Sequence, residues 1–275
     1  FQELPTPWPK PDNEAVSILL AERDDIWTST RQNGIAHWNG REWRWWAPDA
    51  SMPGRIYTAI RHGRDVWFST ADKGLARFRD GEWRFFRGDI GLPDDALYDM
   101  RLIENAGNPN VLWMGSNKHG LLRVDISDPD RPKRVDLPAL PKQAVSYVYG
   151  VVQDGRGDLL VCTDYGVFSW HREGNGFRST GYHREDGLPH DECNANAMQV
   201  DDQGRVWIGT VGGAAVYTPP DGRARRASPL QLTRLLVDGK PATPVAGVLK
   251  LPRPDSTLEL EYDLLTGEKE DDSRY

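Results

Sequence analysis

Asp201-Asp-Gln-Gly-Arg-Val-Trp-Ile-Gly-Thr-Val-Gly-Gly-Ala-Ala-Val-Tyr217 is the stretch whose reading decides the fold. A polar turn at Asp202-Gln203-Gly204 leads into a short strand, Val206-Trp207-Ile208. A glycine turn, Gly212-Gly213, then leads into a second strand, Ala214–Tyr217. Strand formers bounded by Asp and Gly make a hairpin. The same phrase returns as Asp25-Ile-Trp27-Thr-Ser-Thr30 closing on Gly34, as Asp65-Val-Trp67-Phe-Ser-Thr70 closing on Gly74, and as Val111-Leu-Trp113-Met-Gly-Ser116 closing on Gly120. A worn copy, Asp158-Leu-Leu160-Val-Cys-Thr163 closing on Gly166, puts leucine in the tryptophan slot.

The slots at 27, 67, 113, 160 and 207 are spaced by roughly 40, 46, 47 and 47 residues. Short strands with a repeated aromatic at a period of about 40–50 residues mark a β-propeller blade. Chance repetition in a chain with 11 tryptophans would not carry the Gly and Ser/Thr positions along with it. Each buried ring removes roughly 150–250 Å² from water, on the order of 4–6 kcal/mol before entropy. The expected fold is therefore all-β: about five visible four-stranded blades over 14–228. Segment 1–13, rich in proline, precedes them as a connector or closing strand, with Phe1-Gln2-Glu3-Leu4 able to latch the ring. A different β unit occupies 229–275, with strands at Leu230–Val237 and Thr257–Tyr262 around an Asp238-Gly239 turn.

The blades are expected near 15–47, 56–87, 97–138, 147–182 and 195–222, the last without a recognisable outer strand. Between them a second phrase repeats, Gly91-Leu-Pro-Asp-Asp95 and Gly187-Leu-Pro-His-Asp191. Proline cannot donate to a ladder, so this phrase suits the crossing from one blade to the next. Crossings and the hairpin loops after each Ser/Thr should share one face of the disc.

A net charge of −7 argues against a nucleic-acid surface, which needs a basic face. No stretch is apolar enough to span a membrane. Cys162 falls in an expected strand and Cys193 in a loop, and two free thiols are expected. No nucleophile motif or phosphate loop is present. His183, Glu185, Asp186, His190, Asp191 and Glu192 form the densest group of metal-type side chains. The crossing phrase Gly187-Leu-Pro189 runs through them, and neither metal nor cofactor is expected.

The candidate ligand-binding residues lie on the loop-bearing face. The hairpin loops contribute Arg31, Asn33, Asp72, Lys73, Asn117, His119, Asp164 and Tyr165. The crossings and inner-strand starts contribute Tyr57, Asp95, Tyr98, Tyr147, His190, Asn194 and Asn196. Rings that stack and amides that hydrogen-bond suit a sugar or another polar metabolite.

These two phrases resemble the two-component regulator propeller repeat. The likeness is carried by Gly187-Leu188-Pro189, Asp201, Gly204, Val206-Trp207-Ile208-Gly209-Thr210 and Gly213, and extends over roughly 14–222. The resemblance implies an extracytoplasmic, non-catalytic sensor domain of a membrane-anchored receptor, of the histidine kinase or diguanylate cyclase type. It also implies a disc of up to seven blades, a signalling module elsewhere in the parent chain, homodimerisation, and a partial immunoglobulin-like domain from 229. Two alternatives stay open. One is a lyase similar to the streptogramin-inactivating propellers, on the strength of Val66-Trp67-Phe68. The other is a protein-interaction platform.

Overall fold

The computed structural model describes residues 17–30, 33–49, 51–93, 96–103, 108–137, 147–174, 176–220, 230–244, 249 and 251–264. It divides into two compact units, Phe1–Pro219 and Pro220–Tyr275. The first is a β-propeller of five antiparallel sheets. Blade one comprises β1 (Ser17–Glu22), β2 (Asp25–Ser29), β3 (Ile35–Trp38) and β4 (Trp43–Trp46). Blade two comprises β5 (Ile56–His62), β6 (Asp65–Thr70), β7 (Leu75–Arg79) and β8 (Glu82–Phe86). Blade three has β9 (Leu97–Leu102), β10 (Val111–Ser116), β11 (Leu121–Asp125) and a two-residue β12 (Lys133–Arg134). Blade four has β13 (Val148–Gln153), β14 (Leu159–Thr163), β15 (Gly166–Glu173) and β16 (Gly176–Tyr182). Blade five has three strands among the described residues, β17 (Cys193–Val200), β18 (Val206–Thr210) and β19 (Gly213–Tyr217).

The repeated Ser/Thr and Gly positions have one job. In blades two to five the hydroxyl that ends the second strand turns back onto its own hairpin: Thr70, Ser116, Thr163 and Thr210 donate to the carbonyls of Gly74, Gly120, Gly166 and Gly213 at 2.7–2.9 Å. Gly74 sits at φ +71°, and a Cβ there would lie 2.4 Å from the Phe86 carbonyl oxygen. Only glycine fits that conformation and that approach. The Asp80-Gly81 pair turns with φ of 50° and 93°, the paired positive values that a two-residue hairpin requires.

The slot residues occupy equivalent places. Trp27, Trp67, Trp113, Leu160 and Trp207 each stand in the second strand, opposite His37, Arg77, Arg123, Ser169 and Val216 of the third. Four of them are buried by the blade that follows. Trp27 meets Phe68, Phe78 and Trp83 of blade two edge-on at 4.9–5.9 Å. Trp67 lies in one apolar cluster with Leu97, Met100, Leu112 and Met114 of blade three. Trp113 packs with Val148, Val151 and Val161 of blade four, and Leu160 with Met198, Val206 and Ile208 of blade five. Among the described residues, the indole N–H groups of Trp27, Trp67 and Trp113 have no hydrogen-bond partner. That costs about 1–3 kcal/mol each, less than the several kcal/mol that burying the ring returns.

The two cysteines are not free thiols. Cys162 of β14 and Cys193, the first residue of β17 and not a loop residue, form a disulfide with Cα atoms 5.9 Å apart. Blade-to-blade packing brings the second strand of one sheet against the inner strand of the next. Two positions 31 residues apart in sequence thereby become neighbours.

In the second unit, β20 (Leu230–Val237) lies between β21 (Lys240–Pro241) and β22 (Leu258–Leu264). Asp238 and Gly239 make the expected turn, with φ of 50° and 73°. The Asp238 carboxylate accepts from the Thr257 N–H at 2.9 Å, which ties the turn to the start of β22. Phe1–Leu4 lie outside the described residues, as does the charged tail from 265 onward.

Candidate functional site

Crossings and second hairpins do share one face. Ala71 N–H donates to Arg55 O, Asn117 N–H to Ala96 O, Gly166 N–H to Asp191 O and Val211 N–H to Glu192 O, each bond joining a hairpin turn to a crossing. Toward the axis from these bonds, every inner strand breaks register. In β5, Ile56 pairs with Thr70 and Thr58 with Ser69, leaving Tyr57 as the extra residue. In β9, Tyr98 and Asp99 stand opposite Gly115 alone, and in β13 Tyr149 is extra between Val148 and Gly150. In β17, Asn194–Ala197 face the single residue Gly209. Such bulges free a side chain from the ladder and re-aim it.

The result is a ladder of rings around the rim. Tyr57 meets Tyr98 edge-on at 5.2 Å, Tyr98 meets Tyr149 at 5.3 Å, and Tyr147 stacks beside Tyr149 at 6.4 Å. Arg55 lies over the Tyr57 ring, 4.5 Å from its centroid. At the other end the Tyr149 hydroxyl donates to Glu192 Oε1 at 3.4 Å. Burial, then the charge of Glu192, the neighbouring Tyr98 and the charge of Asp164 push that phenol up to about 12.

Beneath the ladder one carboxylate joins the inner strands. Asp99 is fully buried, accepts from the Met100 and Val151 N–H groups at 2.8 and 3.2 Å, and pairs with Arg101 at 3.1 Å. Arg101 in turn donates to Met198 O and Asn196 Oδ1, and Asn196 Nδ2 donates to Tyr57 O at 3.0 Å. Blades two, three, four and five are thus tied across the axis by one polar chain. Burial raises the Asp99 carboxyl above the ordinary aspartate range, against the pull of Arg101 and the two N–H donors.

Of the residues expected from sequence, the rim brings together Tyr57, Tyr98, Tyr147, Asp164 and Asn196. Asn194 holds its own blade, with Nδ2 donating to Thr210 O at 2.9 Å. Asn33 and Lys73 close their own turns through N–H bonds to Thr30 and Thr70, and Asp72 accepts from the Gly54 N–H. Asn117 and His119 occupy the blade-three turn. Tyr165 packs against His183 at 5.1 Å, and His190 Nδ1 accepts from the Glu192 N–H. Arg31 and Asp95 lie outside the described residues. Tyr149, Asp99, Arg101 and Glu192 were missed as ligand-site residues. The signal for Tyr149 was present, since Tyr57, Tyr98 and Tyr149 each follow the first apolar residue of an inner strand. Among the described residues, no three His, Cys, Asp or Glu side chains are grouped to hold a metal. The dense group around His183 serves locally, Asp186 capping the His183 N–H and Asp191 accepting from the Arg184 N–H.

A cavity of about 390 Å³ opens beside the polar chain, between the outward side of blade five and the inner strands of blades one to three. Leu19, Thr58, Arg101, Asn196, Gln199 and Trp207 are among the residues that line it. Here Trp207 is 46% exposed and Val216 41%, because no further sheet lies on them among the described residues.

Residues 187–212 match the family model of the two component regulator propeller. The fold is similar to the extracellular domain of the hybrid two component system BT3049 from B. thetaiotaomicron, at 14% identity and a TM-score of 0.63, covering 90% of this chain and 32% of that one. It is also similar to the extracellular domain of the hybrid two component system BT4673 from the same organism, at 19% identity and a TM-score of 0.57, covering 85% of this chain and 30% of that one. The virginiamycin B lyase from Staphylococcus aureus aligns at 13% identity and a TM-score of 0.51, covering 78% of this chain and 76% of the lyase. At these identities the likeness is one of fold. The chain spans about a third of the length of the two extracellular domains. No curated protein sequence matches it.

Proposed function

We propose that this chain, a propeller carrying the two component regulator repeat, is the non-catalytic ligand-sensing part of an extracytoplasmic signalling receptor, with its ligand held at the tyrosine rim. The observation that carries the reading is the ladder Tyr57–Tyr98–Tyr149, built from the bulges of three successive inner strands. Register breaks repeated blade after blade contribute nothing to sheet pairing, and they gather rings and polar groups where several blades meet. The ligand class is a small polar molecule. The output is the histidine kinase or diguanylate cyclase type, acting through a signalling module of the parent chain and its pairing with a second copy.

One feature supports the compartment. A disulfide between blades four and five suits an oxidising space outside the cytoplasm. No described helix is long and apolar enough to cross a membrane.

A thermal-shift screen of sugars, amino acids, amines and divalent ions tests the site. A ligand that prefers the folded state raises the melting temperature. The expected hit loses its effect in Tyr149→Leu and Asn196→Ala, with the unliganded melting temperature of Tyr149→Leu shifted far less than that of a slot-tryptophan variant. A hit that binds both variants with wild-type affinity would sink the rim as the site.

A further inference from the structure

The ladder is electrically lopsided, and that narrows what it binds. The position two residues before each rim residue is Arg55 in blade two, Ala96 in blade three, Tyr147 in blade four and Glu192 in blade five. In blade two the chain supplies its own cation, and the guanidinium sits over the Tyr57 face at 4.5 Å. Toward blade five the charge reverses: Glu192 touches the Tyr149 hydroxyl, and Asp164 bears on the same phenol.

Most carboxylates that touch a ring or an inner strand elsewhere in the propeller are neutralised. Asp25 is held by Arg61, Asp65 by Arg79, Asp99 by Arg101 and Asp201 by Arg205. Among the described residues, neither Glu192 nor Asp164 has an ion-pair partner. Two uncompensated carboxylates flanking an aromatic face are the chemistry that recognises an ammonium or guanidinium group, by Coulomb attraction and by the ring quadrupole together.

We infer that the blade-four end of the rim takes an organic cation, its positive group lodged between the Tyr149 ring and the carboxylates of Glu192 and Asp164. This rests on the rim being the ligand site, and it names the class of ligand. Arg55 over Tyr57 is the same contact made internally, two ring contacts along the ladder.

The test is a calorimetric and thermal-shift titration of the whole chain with choline and with putrescine, at matched ionic strength, beside glucose and galactose. Choline or putrescine is expected to raise the melting temperature in a saturable way. Affinity should fall about tenfold in Glu192→Gln, the loss of one charge contact. It should fall further in Tyr149→Leu and survive in Tyr149→Phe, which keeps the ring. Binding of neutral sugars alone, lost in Tyr149→Leu, would overturn the cation and keep the rim. Cation binding that is equal in wild type, Glu192→Gln and Tyr149→Leu would place the cation elsewhere and overturn the inference. Silence from every compound overturns both readings.

Discussion

Trp113 and Trp207 hold the same place in their sheets, yet one is 1% exposed and the other 46%. The difference is whether another sheet follows. Around Trp113 the inner and second strands of blade four close a continuous apolar cluster, whereas Trp207 faces the cavity across from Leu19 and Thr58. Among the described residues Trp207 has local partners, with its indole N–H on Asp201 at 3.1 Å and Arg205 near its ring. A repeat motif therefore specifies a position, and its neighbour decides what that position is worth. The best-preserved copy of the phrase, within the matched residues 187–212, has the exposed ring, and the worn copy with Leu160 is fully buried.

Four measurements would break or sharpen this comparison. The largest effect is expected from Trp113→Ala, which should cost about 3–5 kcal/mol in urea unfolding, as deletion of a large core ring does. A loss below about 1 kcal/mol would mean the blade interface is not where stability resides. Next, no sheet lies beyond blade five among the described residues and a disulfide ties it to blade four, so breaking that bond should matter. The paired change Cys162→Ala/Cys193→Ala frees a loop of 31 residues, worth roughly 3–4 kcal/mol by chain entropy. Hydrogen exchange should rise first in β17–β19. Uniform exchange across all blades would refute the idea that blade five is the weak sheet.

Smaller than these is the effect of Asp99, whose buried carboxyl titrates above the ordinary range. A raised carboxyl favours the protonated folded form, so its cost is present above the folded pKa and is relieved as pH falls through it. In Asp99→Asn that contribution to the pH profile of stability disappears, and the wild type should gain on the variant as the solution is acidified. A pH-independent gap between the two would show that the carboxylate is fully compensated by Arg101. The smallest effect is expected from Trp207→Ala, within about 1 kcal/mol of wild type, as for a surface change. A cost equal to that of Trp113→Ala would erase the contrast.

Strand order, and the bounds of blades one, two and four to within a residue or two, were legible because these blades restate Ser/Thr and Gly in fixed places. The face shared by crossings and hairpins followed from strand alternation alone. What could not be read was whatever depends on contact between blades. The cysteines fall at different points of two repeats, and only the packing of β14 against β17 makes them neighbours. Tyr147 was chosen as the inner-strand start, but β13 begins at Val148 and the bulge falls on Tyr149. Asp99 carries no signal of its own in the sequence, since its burial comes from β13 packing against β9. Nothing in the residues themselves distinguishes Trp207 from Trp113, since exposure belongs to the neighbour.

The offset at the head of each inner strand has one more consequence. Tyr57, Tyr98 and Tyr149 stand outside the paired register of their sheets. Substitution there leaves the scaffold's bonding intact, so specificity can drift one blade at a time. An architecture of this kind can be retuned to new chemical cues without first being refolded.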